Sequence, residues 1–220
     1  MDFNNYRQTL EESARKERHA ASPYKEFTSF ILGFVKGRCL EIGCGDGLMT
    51  RLLKENCGEL VSVDLSANRI ETARKSAGKS AVRFILSDAR ALPFKDSYFD
   101  TVVAFEVIEH LPGREEQSQV LREVKRVLSA DGRLVISTPN KPVFRLYCKI
   151  LKEKHSTHFS EMDYFSFRGL LKKHFSSVKI YGRFGWLSPF YGSKIVRKAH
   201  SCLSGLTPFC KGLTGVCKKH

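Results

Sequence analysis

The chain has 220 residues, enough for one domain with a sizeable buried core and too few for two domains of ordinary size. Its 42% hydrophobic and 27% charged residues are those of a soluble globular protein, with no apolar run long enough for a membrane-spanning helix. The polar, mixed-charge start, MDFNNYRQTLEESARKERHA, fits neither a secretory signal nor a transit peptide, so a cytoplasmic location is expected.

The net charge of +14 is unevenly distributed. Residues 1–140 carry 21 Lys and Arg against 20 Asp and Glu, whereas residues 141–220 carry 16 against 3, with no carboxylate side chain after Asp163. A segment lacking one sign of charge suits an anionic partner: lipid head groups, nucleic acid or an anionic substrate. The seven cysteines are scattered and include no CxxC pair, which argues for reduced thiols rather than a zinc site or a disulfide framework.

Two helices are expected first, near 3–18 and 23–35, the second with Pro23 in its opening turn. From Arg38 the pattern changes to short apolar runs, RCLEI, ELVSVD, VRFILSD, FDTVVAFE and GRLVIST. They are separated by the helical stretches LMTRLLKEN, ANRIETARKSA and EEQSQVLREVKRVLSA, the last expected to stop at Asp131-Gly132. Strands alternating with helices predict a parallel sheet with crossover helices. Beyond Pro139 come a basic helix VFRLYCKILKEK, a hinge with His155 and His158, a helix DYFSFRGLLKKH and a strand SSVKIYG. The Gly- and Pro-containing stretch 182–208 is not read as one helix, and Leu213–Lys218 is read as a last strand.

The strongest local signal is CLEIGCGDG, in which the first strand ends at Glu41 and the chain turns through Gly43, Gly45 and Gly47 into a helix. Such glycines let the backbone approach a ligand closely at a helix N-terminus, in the crevice of an open parallel sheet. The spacing is GxGxG with Leu48 following, which disfavours the dinucleotide fingerprint GxGxxG. The second strand ends in Asp64, where a carboxylate can accept two ribose hydroxyls, and the third runs into Asp88, placed to receive an amine such as adenine N6.

In this order and spacing the motifs resemble the class I S-adenosylmethionine-dependent methyltransferases, over about residues 27–181 and with FDTVVAFEVIEHL and LREVKRVLSADGRLVISTPN as further matches. Within that class the ubiquinone-biosynthesis O-methyltransferases are similar. The resemblance implies an α/β, Rossmann-like sheet of seven strands, mostly parallel with an antiparallel last strand and helices on both faces. Three regions follow: N-terminal helices over the active site (1–36), the S-adenosylmethionine-binding core (37–181) and a basic aromatic extension carrying the last strand (182–220). It places Glu41, Gly43, Cys44, Gly45 and Gly47 at the methionine end of the cofactor and Asp64 with Leu65 on the ribose. Asp88 and Ala89 fall by the adenine, and Phe105 and Glu106 border the methyl group.

The E-x-x-E-H cluster Glu106, Glu109, His110, with His155 or His158 on a later loop, resembles the set that in some family members holds a divalent ion such as Mg2+. The alternative is a metal-free site in which Glu106 lines the cleft, Glu109 is structural and His110 or His155 acts as general base. On either reading Glu106, His110 and His155 are the catalytic candidates, and a hydroxyl of a small or lipid-like molecule is the expected acceptor. Lys and Arg around Trp186, Phe190 and Tyr191 suit a peripheral contact with an anionic membrane. RNA, as substrate of a ribose 2′-O-methyltransferase, ranks below lipid because no RNA-binding motif is present. A catalytically silent cofactor-binding partner subunit is the third reading. The remaining alternative for the aromatic residues is that they cap the active-site mouth and pack the last strand.

Overall fold

The computed structural model describes residues 31–78, 81–151, 159–183, 210 and 212–220, apart from the side chains of residues 147, 150, 151 and 183. The elements in chain order are β1 (Arg38–Ile42), α1 (Leu48–Leu53), β2 (Glu59–Asp64), α2 (Ala67–Ala77), β3 (Arg83–Leu86), β4 (Phe99–Phe105), α3 (Arg114–Val127), β5 (Leu128–Pro139), α4 (Lys141–Leu151), α5 (Tyr164–His174), β6 (Ser177–Arg183) and β7 (Gly212–Lys218). A short 3-10 turn, Ile108–His110, follows β4. The seven strands form one sheet in the order β3-β2-β1-β4-β5-β7-β6. All pairings from β3 to β5 are parallel, and β7 runs antiparallel between β5 and β6, as the resemblance implies.

The central strands read as apolar runs because both sheet faces are covered. Alternate residues point to opposite faces. On one face Leu40, Ile42, Val102, Ala104, Leu134 and Ile136 share a cluster with Val120, Leu121 and Val124 of α3 and Phe167, Leu170 and Leu171 of α5. On the other, Cys39, Leu60, Val103 and Val135 pack with Ile31, Val35 and Leu53. The buried residues of α3 recur at helical spacing, and Glu115 and Glu116 sit in its first turn and Lys125 and Arg126 in its last, complementing the helix dipole.

Of the boundaries that differ from the sequence reading, two bear on the strands that frame the site. Helix α3 stops at Val127 rather than Asp131-Gly132, because fully buried Leu128 pairs with Phe99 and begins β5. Gly132 lies inside that strand, within the irregularity between the Leu128–Phe99 and Arg133–Thr101 pairs. Strand β3 ends at Leu86, so Ser87 and Asp88 belong to the loop that follows. The two N-terminal helices fall mainly, and the aromatic stretch 184–209 wholly, outside the described residues. Among the described residues no helix is long and apolar enough to cross a membrane.

Candidate functional site

The sheet order reverses between β1 and β4, and an open parallel sheet binds ligands beyond the carboxyl ends of its strands at such a point. A cleft of about 320 Å³ lies there. Its walls come from the ends of β1, β2 and β4 and from the loop after β3.

The glycine loop is held to β2 by its backbone. Gly43 and Cys44 N–H both donate to the Val63 carbonyl, at 2.8 and 3.1 Å. Gly43 lines the cleft with φ of 73°, and a Cβ there would lie 2.5 Å from Val107 Cγ2, so the position is closed to a side chain in two ways. Gly43→Ala is expected to lower the melting temperature by roughly 2–8 °C, from a left-handed penalty of about 1–2 kcal/mol. It should also weaken cofactor binding by displacing Val107, which differential scanning fluorimetry with and without ligand would register. Gly47, at the start of α1, lies so close to α2 that an added Cβ would stand 3.1 Å from Ala73 Cα.

Asp64 is the hinge of the site. Its Oδ2 accepts Gly45 N–H and its Oδ1 accepts Ser66 N–H, each at 2.9 Å, so one carboxylate joins the glycine loop to the start of α2. A carboxylate offers about four lone-pair directions, so two remain for donors in the cleft. Ser66 Oγ in turn accepts Arg69 N–H and caps α2. The Asp64 carbonyl accepts Ser87 N–H at 3.0 Å, tying in the loop after β3.

Glu41 sits beneath the loop, not against the cleft. It is buried, and both Thr50 Oγ1 (2.6 Å) and Ser62 Oγ (2.7 Å) donate to its Oε2. Burial pushes its carboxyl up to about 7, against the lowering effect of the two hydroxyls. Cys44 is likewise buried, packed with Ile70 and Ala73, and burial raises its thiol.

Of the other residues singled out from sequence, Leu65, Asp88, Ala89, Glu106 and His110 line the cleft. Phe105 instead packs against the apolar cluster on the α1 face of the sheet. Glu106 has φ of 51°, a left-handed backbone unusual for a side-chain-bearing residue and common at functional sites. Ser137 on β5 holds it, donating from Oγ to Glu106 Oε1 at 2.7 Å, while Glu106 N–H points to the Ser137 carbonyl at 3.2 Å. Glu109 is fully buried: Thr138 Oγ1 donates to its Oε2, and its carbonyl accepts the Phe159 and Ser160 amides. Glu106, Glu109 and His110 do not gather into a metal-holding group, and among the described residues no other set of three His, Cys, Asp or Glu does so. His155 lies outside the described residues.

Sequence reasoning missed Ser137 and two arginines. Arg90 grips Asp88 with its backbone N–H (2.9 Å to Oδ1) and its guanidinium, whose Nη2 lies 2.7 Å from Oδ2. Arg69 lines the cleft beside Asp64. The i, i+2 spacing in SDAR was the available signal for Arg90; Ser137, 31 residues from Glu106, had none.

Residues 40–136 match the model of a methyltransferase domain. The chain is 39% identical over 105 residues to the methyltransferase GfsG of Streptomyces halstedii, covering 46% of this chain and 37% of that protein. It is 28% identical over 134 residues to the ubiquinone biosynthesis O-methyltransferase of Xanthomonas euvesicatoria pv. vesicatoria, covering 58% and 54%. The chain thus spans between 37% and 54% of the length of these relatives. Among solved structures, the N-methyltransferase NodS of Bradyrhizobium japonicum, in complex with S-adenosyl-L-homocysteine, superposes with a TM-score of 0.70 at 16% identity, covering 97% and 98% of the two chains. Residues 40–136 are thus similar to a methyltransferase domain, and the fold is that of the solved N-methyltransferase NodS.

Proposed function

We propose that the chain transfers the methyl group of S-adenosylmethionine to a hydroxyl of a small or lipid-like acceptor. The observation that carries this reading is one cleft lined by Gly43, Asp64 and Asp88 on its cofactor side and by Glu106 and His110 at the end of β4. Asp64, fixed by two amides, receives the ribose hydroxyls, and the Asp88–Arg90 pair borders the adenine. When bound, the cofactor supplies a methyl carbon made electrophilic by the attached sulfonium. His110 takes the acceptor hydroxyl proton as the oxygen–methyl bond forms and the methyl–sulfur bond breaks, S-adenosylhomocysteine being the leaving group, and Glu106, held by Ser137, orients the hydroxyl for in-line attack. No step is assigned to a metal.

The O-methyltransferase relative supports a hydroxyl acceptor. The basic, carboxylate-poor C-terminal region and its aromatic residues support action in the cytoplasm at an anionic membrane surface. Exposed Leu146 and Phe165, near Arg145 and Lys149 of α4 and Arg168 of α5 in the sequence, are of the same character.

The test is transfer of labelled methyl from S-adenosylmethionine into an extract of the source cells, followed by organic partition and RNase digestion of the aqueous phase. Label is expected in the organic phase. Aqueous label that becomes small after RNase would replace the reading with RNA ribose methylation, and no incorporation would favour a silent cofactor-binding subunit. With the acceptor in hand, His110→Ala is expected to lower kcat by about 100- to 10,000-fold, the usual contribution of a positioned base.

A further inference from the structure

The loop after β3 supplies one wall of the cleft through Ser87, Asp88, Ala89 and Arg90, and immediately beyond that wall it is fastened to α3. Three side chains of α3, Gln119, Glu123 and Arg126, lie at i, i+4 and i+7, on one face of the helix. Gln119 Nε2 donates to the Arg90 carbonyl at 3.2 Å. Glu123 Oε2 accepts Leu92 N–H at 2.8 Å. The Arg126 guanidinium donates to the carbonyls of Leu92 (2.9 Å) and Phe94 (2.7 Å) and to Asp96 Oδ1 (2.8 Å), while Glu123 holds it from its own helix at 2.8 Å. Gln119, Glu123 and Arg126 are not among the residues that line the cleft.

Most of these bonds go to loop backbone, so they set the path of the chain whatever side chains the loop carries. Leu92, next to the wall, is itself buried in the core, which gives the fastening a rigid base. A site built from loop residues is only as well placed as the shell that supports it.

We propose that Arg126, with Glu123 and Gln119, is a positioning residue for the adenine end of the cofactor: α3 holds the 87–90 wall at the spacing the adenosyl group requires. This rests on the S-adenosylmethionine reading of the cleft. Arg126→Gln removes several loop bonds at once without touching the wall or the methyl end. Its effect is expected in cofactor affinity, with the Kd for S-adenosylhomocysteine and the KM for S-adenosylmethionine rising about tenfold or more. The kcat at saturating cofactor is expected to stay within about twofold. Glu123→Gln keeps an oxygen acceptor for Leu92 N–H and is expected to retain most of the affinity.

Calorimetric titration of the wild-type chain with S-adenosylhomocysteine comes first, and absence of binding there overturns both the cofactor reading and this inference. If the wild type binds, a folded Arg126→Gln variant with unchanged Kd and KM overturns the inference alone. Should that variant not fold, Gln119→Ala, at an exposed position, decides with hydrogen exchange. Faster exchange at Ala91, whose N–H bonds the Asp88 carbonyl, together with a weaker Kd supports the proposal, and wild-type values of both overturn it.

Discussion

Asp64→Ala is expected to weaken binding of S-adenosylmethionine and S-adenosylhomocysteine by about a hundredfold or more, the largest expected effect on cofactor affinity. On the proposed reading, two charge-assisted hydrogen bonds to ribose hydroxyls, each worth about 1.5–3 kcal/mol, would disappear with the carboxylate. The same change strips Gly45 and Ser66 of the acceptor for their amides, so the glycine loop and the start of α2 lose their common anchor. Asp64→Asn keeps a single oxygen acceptor and is expected to fall between the wild type and the alanine variant. Isothermal titration with S-adenosylhomocysteine checks the order, and wild-type affinity in a folded Asp64→Ala protein would remove this carboxylate from cofactor recognition.

The second large effect is a pH dependence of stability carried by Glu41. Its carboxyl is raised from 4.5 in the unfolded chain to about 7 in the fold, chiefly by burial. The folded state therefore holds a proton that the unfolded state releases earlier. Its contribution to stability is fully present below pH 4.5 and is lost as pH rises through about 7. The shift corresponds to about 3 kcal/mol across that window. Glu41→Gln keeps an oxygen acceptor for the Thr50 and Ser62 hydroxyls without the charge. Denaturant unfolding from pH 5 to 8 is expected to show this variant gaining on the wild type as pH rises, with the difference levelling above pH 8. A difference that stays flat with pH would mean Glu41 is ionised throughout.

These two residues also separate what was readable in the chain from what was not. Both were identified from their positions at strand ends, and both stand where the glycine loop meets the sheet. Their environments differ for a reason strand alternation supplies: Glu41 points to the same sheet face as Cys39 and is covered by α1, whereas Asp64 ends its strand and turns to the cleft. The EVIEH cluster is less transparent. Three polar residues within five positions suggest one site, yet the 3-10 turn aims Glu109 at Thr138 in the interior while Glu106 and His110 border the cleft.

What the sequence by itself determined is local in origin. Strand and helix order follows from apolar periodicity, the turn at Gly43–Gly47 from residues that tolerate positive φ, and the placement of Asp64 from a strand ending in an acid. Each depends on a few consecutive side chains and on backbone sterics. Tertiary structure decided everything that requires distant segments to meet. Examples are Ser137 holding Glu106 across 31 positions, Arg126 reaching back 32 to the Phe94 carbonyl, and Leu128 leaving the helix early to pair with Phe99. Such contacts depend on strand register and helix packing, which bring together residues that carry no mark of each other along the chain.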